Sequence, residues 1–456
     1  MRDLQSLSRE ELIGLILAQA QQIEELRAEL ERIKRSGKRS AAPFSRATKV
    51  ENPKTPGRKP GEGCFERRKA PEDMLWSEAR RVGLDVRCCP ECGGVLGPAA
   101  VEWASVTELP EKVRPEVRVY AVEVRHCGGC GGTVRGRHED LAPDQYGATA
   151  HRIGPRAKAA AHALHYGLGV PVRKTPQILE LLTGLKLTQG ALTQDALKQA
   201  GGAAGKVYAQ LRDGVRHSPV VHTDDTGWRT GGETAQLMVL DTPDRTVYQI
   251  RPRHRNEEVR EVIPADYTGV LVSDRGKSYE AEELAGVKQQ KCLAHLIRNI
   301  NEVLASKRGK ARHFGLKLKG LLRDGLKLWH EGRQGKDVAA RSRKLEQALT
   351  HHLRCRMLRD EDNQKLLDGI GLQHDRGHVL RFLRDSQVEP TNNRAERALR
   401  PAVIARKVSQ CSKNQRGAEA FAIFTSVIQT LRKKGLNLLD TLVNLSGLHP
   451  SPTTSP

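Results

Sequence analysis

The sequence has 456 residues, of which 38% are hydrophobic and 4% aromatic, and its formal net charge is +22. This length predicts two to four structural units with mainly aliphatic cores. The positive charge favours a protein that binds a polyanion such as nucleic acid, although a general excess of arginine is the alternative explanation. No apolar run approaches the ~20 residues of a membrane span, and the acidic, amphipathic N-terminus lacks the pattern of a signal peptide.

The first segment, residues 1–35, is predicted to be helical from residue 8 onwards. Apolar residues recur at alternating steps of three and four between Leu12 and Ile33, and Gln19 is the one polar member of the series. This heptad pattern predicts a short coiled coil that joins two subunits. The alternative is a helix that packs on its own chain.

Residues 36–63 form a linker rich in proline, glycine, lysine and arginine, without an apolar period. Within it, the stretch PGRKPG could lie extended in a DNA minor groove, with Arg58 and Lys59 at the narrow floor. A flexible basic tether that stays near DNA by charge alone explains the same composition.

Two C-x-x-C units follow, in the segment 64–148. A two-residue gap lets one tight turn present both sulfurs to a tetrahedral zinc ion, and a glycine directly after each unit permits that turn. Between the units, residues 116–125 alternate valine with charge, as a strand does. The segment predicts a zinc ribbon with one structural Zn²⁺, whereas the competing interpretation is a set of cysteines left from a lost site. The predicted ligands are Cys89, Cys92, Cys127 and Cys130, with Cys88 and His126 as adjacent alternatives. Paired cysteines of this kind also favour a reducing, cytoplasmic environment.

The segment 149–205 is predicted to be helical, with two helices about a turn at Thr183–Gly184. This spacing is typical of a helix-turn-helix, in which the second helix would present Thr188 and Gln189 to base edges. A plain helical hairpin without a role in DNA binding is the alternative.

The segment 206–292 alternates as strands, in the order three strands, helix, strand, helix, strand. Two apolar runs in it end in aspartate: the first in Asp224 and Asp225, the second in Asp274. Residues 293–385 are helical, charged and without strand signals. A carboxylate at the end of a buried strand is either a turn residue or a metal ligand.

The stretch from Val388 to Val403, VEPTNNRAERALRPAV, opens the segment 386–448. Its asparagines predict a helix start near Asn392 with a polar cap, and Pro401 predicts its end or a kink. Glu396 is the one carboxylate of this helix and stands among three cations, which are Arg394, Arg397 and Arg400. Two aspartates at strand ends with a later glutamate on a helix are the arrangement that holds a pair of divalent metals. Residues 449–456 are predicted to be a disordered tail.

The blocks DDTGWR, LVSDRGKSY, KCLAHLIRN and EPTNNRAERALRPAV resemble the catalytic-domain motifs of the insertion-sequence-66 family of bacterial transposases. This resemblance implies a multidomain α/β protein. Its catalytic domain would be ribonuclease-H-like, with a mixed sheet and a helical insertion, and would follow a coiled-coil helix, a zinc ribbon and a helix-turn-helix. The triad would be Asp224, Asp274 and Glu396, with two Mg²⁺ or Mn²⁺ ions. Where the residues alone leave Asp224 and Asp225 open, the family motif favours Asp224, and it usually has Glu where this chain has Asp225.

Further roles are assigned around the triad. Four residues are predicted to lie next to the triad and support it: Asp225, His295, Asn393 and Trp228. The three arginines near Glu396 are predicted to contact backbone phosphates. The predicted function is a transposase that binds the terminal inverted repeats of its element, cuts strands and joins 3′ ends to target DNA. It would act as a homo-oligomer near the bacterial nucleoid, with small accessory proteins of the same element as further partners. A DNA-binding regulator with an inert catalytic fold and a structure-specific nuclease are the alternatives.

Overall fold

The computed structural model describes residues 86–98 and 113–445, together with residues 19, 21–23, 25, 82, 100, 101, 104, 106, 107 and 109. The chain divides into two compact units, Met1–Glu111 and Lys112–Pro456. The predicted coiled coil lies outside the described residues except for five helical positions between 19 and 25. The basic linker, with Arg58 and Lys59, and the tail also lie outside them. None of the described helices combines the length and apolar character that a membrane crossing needs.

In the second unit, a small antiparallel hairpin surrounds the second C-x-x-C unit. Its strands are β1, Val124–His126, and β2, Thr133–Arg135. The strand predicted over residues 116–125 is therefore present only at its end. Val117 and Val119 are exposed, so the alternating valines bury no face in the described chain and form no longer ladder.

Helices make up most of the remaining chain. Those described are α1 Pro155–His162, α2 Thr175–Thr183, α3 Gln189–Ala200, α4 Ala203–Arg216, α5 Asn256–Arg260, α6 Leu293–Ser306, α7 His313–Arg333, α8 Ala339–His352, α9 Glu361–Asp375, α10 Asn393–Ser409, α11 Gln415–Lys433 and α12 Leu438–Leu445. The two helices predicted about Thr183–Gly184 are α2 and α3. Gly184 has φ of 74° at the end of α2, a left-handed conformation that glycine adopts without strain.

A five-stranded sheet forms the centre of the second unit. Its strands are β3 Val220–Thr230, β4 Glu233–Asp241, β5 Thr246–Arg251, β6 Val270–Ser273 and β7 Lys288–Lys291, in the order β5-β4-β3-β6-β7. The first three are antiparallel, whereas β6 and β7 run parallel to β3. The predicted strands are thus confirmed, and the mixed sheet with its many helices is compatible with a ribonuclease-H-like domain.

Alternation along the strands sends side chains to two differently covered faces. On one face of the sheet, Val239 and Tyr248 pack against Ala395 and Leu399 of α10. On the same face, Val272 of β6 packs with Leu296 of α6. The opposite face packs with α4 and the chain after α5 through a separate set of apolar residues, which are Leu211, Val215, Val221, Leu240, Val247, Val262, Ile263 and Leu271. The helices α6 to α9 form the predicted helical insertion between the sheet and α10.

Candidate functional site

Asp224 lies inside a strand, which differs from the prediction that it ends one. The parallel ladder between β3 and β6 stops at the pair His222–Val272, but β3 continues because it still pairs with β4 as far as Thr230. Asp224 and Asp274 each lie two residues beyond the last parallel pair. Since parallel strands stay in register, the two carboxylates come side by side at the same edge.

The two aspartates at 224 and 225 point to opposite faces of the sheet. Asp224 is paired with Val239, so it shares the face that α10 covers. Asp225 is on the other face, where its Oδ1 lies 3.1 Å from Nδ1 of His254. The His254 ring in turn meets the Tyr279 ring edge-on, at 5.3 Å between centres. Glu396, which α10 carries, is therefore on the side of Asp224.

The start of α10 is fixed by contacts with β3 and with the residue before α6. The buried Asn392 donates from Nδ2 to the carbonyl oxygen of Thr223 at 2.7 Å, and its backbone N–H lies 3.1 Å from Sγ of Cys292. Asn392 makes no side-chain cap, so the predicted polar cap is wrong, because the amide binds the neighbouring strand instead. The helix also does not end at Pro401 but continues to Ser409.

The carboxylates act on one another electrostatically. Burial, together with the negative charges of Asp225, Asp274 and Glu396, raises the pKa of Asp224 to about 7, against a hydrogen bond from the backbone N–H of Asp225 that lowers it. That N–H lies 3.0 Å from Oδ1 of Asp224. A carboxyl that holds its proton this strongly is a place where a cation would be favoured.

Asp274 also makes the turn that its SDRG sequence favours. Its Oδ1 accepts a hydrogen bond from the backbone N–H of Gly276 at 2.8 Å, while none of the hydrogen bonds among the described residues uses its other carboxylate oxygen. Behind it, Lys291 is 1% exposed and donates from Nζ to the Asp274 carbonyl oxygen at 3.1 Å. Burial lowers the pKa of Lys291 to about 8, although Glu280 and Asp274 oppose this shift.

Within the described chain, none of the three arginines near Glu396 forms an ion pair with it. Arg394 and Arg397 lie only two and one positions from Glu396 and so do not face it on the helix, and Arg394 instead lies 3.4 Å from the carboxylate of the buried Asp241. Arg397 and Arg400 are exposed and form no ion pair within the described chain. The basic group beside Glu396 is His295, with 4.0 Å between Nε2 and Oε1.

The remaining predicted residues make contacts of their own or are exposed. Trp228 is buried, donates to Oγ of Ser412 at 3.2 Å and packs against the Phe421 ring. Asn393 is exposed at the start of α10. The predicted DNA-contacting pair lies at the start of α3, where the Thr188 hydroxyl accepts from the Ala191 N–H and so caps the helix, and Gln189 is exposed.

The two C-x-x-C units make the same backbone turn. In the first, the Gly93 N–H donates to the Cys89 carbonyl at 2.8 Å, and in the second the Gly131 N–H donates to the Cys127 carbonyl at 2.9 Å. Hydrogen bonds from the backbone, chiefly from the second cysteine of each unit, lower the pKa of the first thiol. Cys89 belongs to the first compact unit and Cys127 to the second.

Within the described chain, no group of three or more His, Cys, Asp or Glu side chains is close enough to hold a metal ion. The carboxylates nevertheless offer oxygen donors, and each C-x-x-C turn offers two thiols, which are the donors that Mg²⁺ and Zn²⁺ prefer respectively.

Sequence reasoning missed His254, Lys291 and Asp241. Of these three, Lys291 had a signal in the sequence, because β7 reads KQQK and contains no apolar residue. In the structure, Gln289, Gln290 and Lys291 of this strand are buried. A buried strand of polar residues must satisfy them with specific partners, and such partners are typical of functional sites.

The sequence of this chain matches a known protein family. A family model described as "Transposase IS66 family" matches residues 151–420, which include the sheet, the three carboxylates and the inserted helices. No match was found among curated proteins. Because the match covers more than half of the chain, the protein belongs to the IS66 family of transposases, enzymes that act on DNA.

Proposed function

We propose that this transposase binds the terminal inverted repeats of its element, cuts the DNA strands there and joins the 3′ ends to target DNA with a carboxylate triad. The triad consists of Asp224, Asp274 and Glu396. One observation supports the proposal: Asp224 and Asp274 each lie two residues beyond the last pair of the parallel β3–β6 ladder, and the negative charge of Glu396, on the helix over the same face, helps to raise the pKa of Asp224.

The residues present fit a pair of divalent cations. Mg²⁺ is commonly held by one or two carboxylates and keeps waters and substrate phosphates as its other ligands, so a closed cage of protein ligands is not required. When bound, the two ions activate the attacking oxygen and stabilise the leaving oxygen of an in-line displacement. Asp224 and Asp274 would anchor them, and Glu396 would bind from the helix side.

The other residues at the site would position these groups. The hydrogen bond of Gly276 to Asp274 leaves one carboxylate oxygen available, and Lys291 holds the backbone of the same residue. On the opposite face, His254 would restrain Asp225. His295, beside Glu396, could hold a phosphate or a water molecule, while the exposed Arg397 and Arg400 would contact the DNA backbone.

For the cysteine region we propose one structural zinc ion, held by Cys89, Cys92, Cys127 and Cys130. Its support is the identical turn at the two C-x-x-C units, with φ of 73° at Gly93 and 68° at Gly131. Both turns place the second cysteine's N–H near the first thiol and favour its thiolate form, which is the form that binds zinc. A ribbon of this kind, a coiled coil over residues 1–35 and DNA contacts by α3 complete the proposed architecture.

A strand-joining assay tests the function. Purified full-length protein would be incubated with Mg²⁺, DNA that carries the element ends found beside its gene, and a circular target. The proposal predicts free 3′ ends followed by their covalent attachment to the target. Cleavage without joining would favour the nuclease, and binding without either would favour the regulator.

A further inference from the structure

A cavity of about 740 Å³ lies away from the carboxylates, between the helices α1 and α3, the loop before α2, and the junction of α10 with α11. This volume is within the roughly 300–1,000 Å³ of pockets that hold small ring-containing ligands. The carboxylate site does not account for it.

The walls of the cavity are aromatic and its mouth is basic. Tyr166, Trp228 and Phe421 line it, in a chain with 4% aromatic residues. The exposed Arg173 and Lys413 also line it, and neither has an ion-pair partner among the described residues. None of the described residues that line the cavity is acidic.

Polar side chains that can read the edge of a planar ring are also present. Gln189 and Gln410 are exposed in the lining, and neither side chain makes a hydrogen bond within the described part of the chain. Amides of this kind pair with donors and acceptors on base edges. Aromatic faces, amides and cations without carboxylates fit a nucleobase that carries a phosphate.

The loop at the α10–α11 junction adopts a conformation that non-glycine residues avoid. Gln410 and Cys411 have φ of 60° and 70° in succession, and such backbone persists only where its surroundings fix it. Ser412 does this, because its N–H donates to the Arg229 carbonyl at 3.2 Å and its carbonyl accepts from Gly231 at 3.0 Å. The loop that forms one wall is thereby attached to the end of β3.

Strand β3 links the cavity to the carboxylates. Trp228 is four residues from Asp224 on the same face, which is about 13 Å along a strand. A nucleotide in the cavity would therefore lie within a few nucleotides of DNA bound at the carboxylates.

We propose that the cavity binds one unstacked nucleobase of the DNA, with the base beside Tyr166 and its phosphate near Arg173 and Lys413. This site rests on the proposed function, since it needs DNA at the neighbouring carboxylates. It would hold a strand at a fixed distance from the cleavage site.

The test compares two DNA probes that differ only in their bases. One is a duplex with a single-stranded 3′ end of four thymidines, and the other carries four abasic residues there, so that the phosphates are the same. Fluorescence anisotropy at one salt concentration should show that the full-length protein binds the thymidine probe about tenfold more tightly, as expected for one stacked base.

Two substitutions should abolish this preference by filling the cavity from opposite walls, Val408→Trp and Thr193→Trp. The matched controls are Ile404→Trp, one turn earlier on α10, and Gln194→Trp. Val408 and Ile404 are 51% and 54% exposed, but only Val408 lines the cavity. The controls should keep the tenfold preference.

Equal binding of the two probes by the wild type would overturn the nucleobase site while leaving DNA binding intact. Binding of neither probe would overturn both the site and the proposed function. If the cavity instead holds a side chain of a second copy, Val408→Trp would lower the mass in light scattering and leave the base preference unchanged, which would also overturn the proposal.

Discussion

The carboxylate site and the cysteine region are organised in opposite ways. Asp224 lies on β3 and Asp274 directly follows β6. Val221, Leu271 and Val272 of these strands are fully buried, and Asn392 attaches the glutamate helix to the same sheet. Around the cysteines, by contrast, nearly every side chain is exposed and the strands β1 and β2 have three residues each. We infer that a core positions the carboxylates before any metal binds, whereas the cysteine region depends on its metal for order.

The largest expected effect is therefore the loss of zinc. Metal analysis of the wild type should find one zinc ion per chain. Cys89→Ser with Cys127→Ser should lose it and make residues 86–138 sensitive to protease, because zinc binding supplies about 10–16 kcal/mol in such small sites. The thermal transition of the sheet domain should stay unchanged.

Cys355→Ser is the matched control, since Cys355 is exposed and outside both C-x-x-C units. A zinc content near zero in freshly purified wild type would break the comparison, as the two regions would then differ in packing alone.

The next effect concerns the buried ions beneath α10. Asp241 binds both Arg394 and Lys433 and is 3% exposed, so Asp241→Ala should leave Lys433 without its ion-pair partner and Arg394 with only Glu389, at 3.8 Å. The expected loss is about 3–5 kcal/mol in the free energy of unfolding, measured by urea denaturation.

Asp244→Ala provides the comparison, because Asp244 pairs with Arg245 at a half-exposed position and surface pairs contribute at most about 1 kcal/mol. Equal losses in the two variants would show that the ion pairs of Asp241 with Arg394 and Lys433 add no more stability than a surface pair.

A smaller effect should follow from the pKa of Asp224, which rises from 3.8 to about 7 in the folded protein. Between these two pH values the carboxyl is protonated in the native protein and ionised in the unfolded protein. Its contribution to the free energy of unfolding is therefore largest below pH 4 and is lost as the pH rises towards 7. In metal-free protein the loss should be roughly 2–4 kcal/mol. Urea titrations at pH 5 and pH 7.5 measure it.

Asp224→Asn should remove this pH dependence, whereas Asp213→Asn, at an exposed position on α4, should keep it. Mg²⁺ should stabilise the wild type more at pH 7.5 than at pH 5, because protons compete with the cation. An Asp224→Asn variant with the pH dependence of the wild type would contradict the electrostatic link between the carboxylates.

The smallest effect is expected at the surface of α10. Replacing both Arg397 and Arg400 by alanine should reduce the log–log salt slope of DNA binding by about 0.9 for each phosphate that is no longer bound. Arg341→Ala should leave the slope unchanged, because Arg341 pairs with Glu331 at 2.6 Å. An unchanged slope in the double variant would place the DNA on another surface.

The sequence predicted the carboxylates because each belongs to a local pattern, an apolar run that ends in aspartate or a helix start. It could not predict which partner would take Asn392 or Arg394, since both bind residues of distant strands, Thr223 and Asp241. The sequence also predicted that the helix would end or kink near Pro401, whereas it continues to Ser409. A proline removes one hydrogen bond, but Ala402 and Ala405 beyond it are buried against the sheet, and this packing stabilises the last turns.

The strand predicted before the second C-x-x-C unit shows that a local pattern alone does not make a strand. Alternation of valine with charge indicates a strand only where one face is covered, and Val119 is 88% exposed. In the sheet, where both faces of β3 are packed, the same alternation places Asp224 on one face and Asp225 on the other.

The most direct measurement uses Glu396→Gln, which keeps the shape of the side chain and removes its charge. Binding to end DNA should stay within about threefold of the wild type, while cleavage and joining in Mg²⁺ should both become undetectable, because two-metal chemistry is worth many orders of magnitude in rate. Asp225→Asn, on the opposite face, should show a milder loss. Near wild-type cleavage by Glu396→Gln would contradict the assignment of the triad and the mechanism proposed for this transposase.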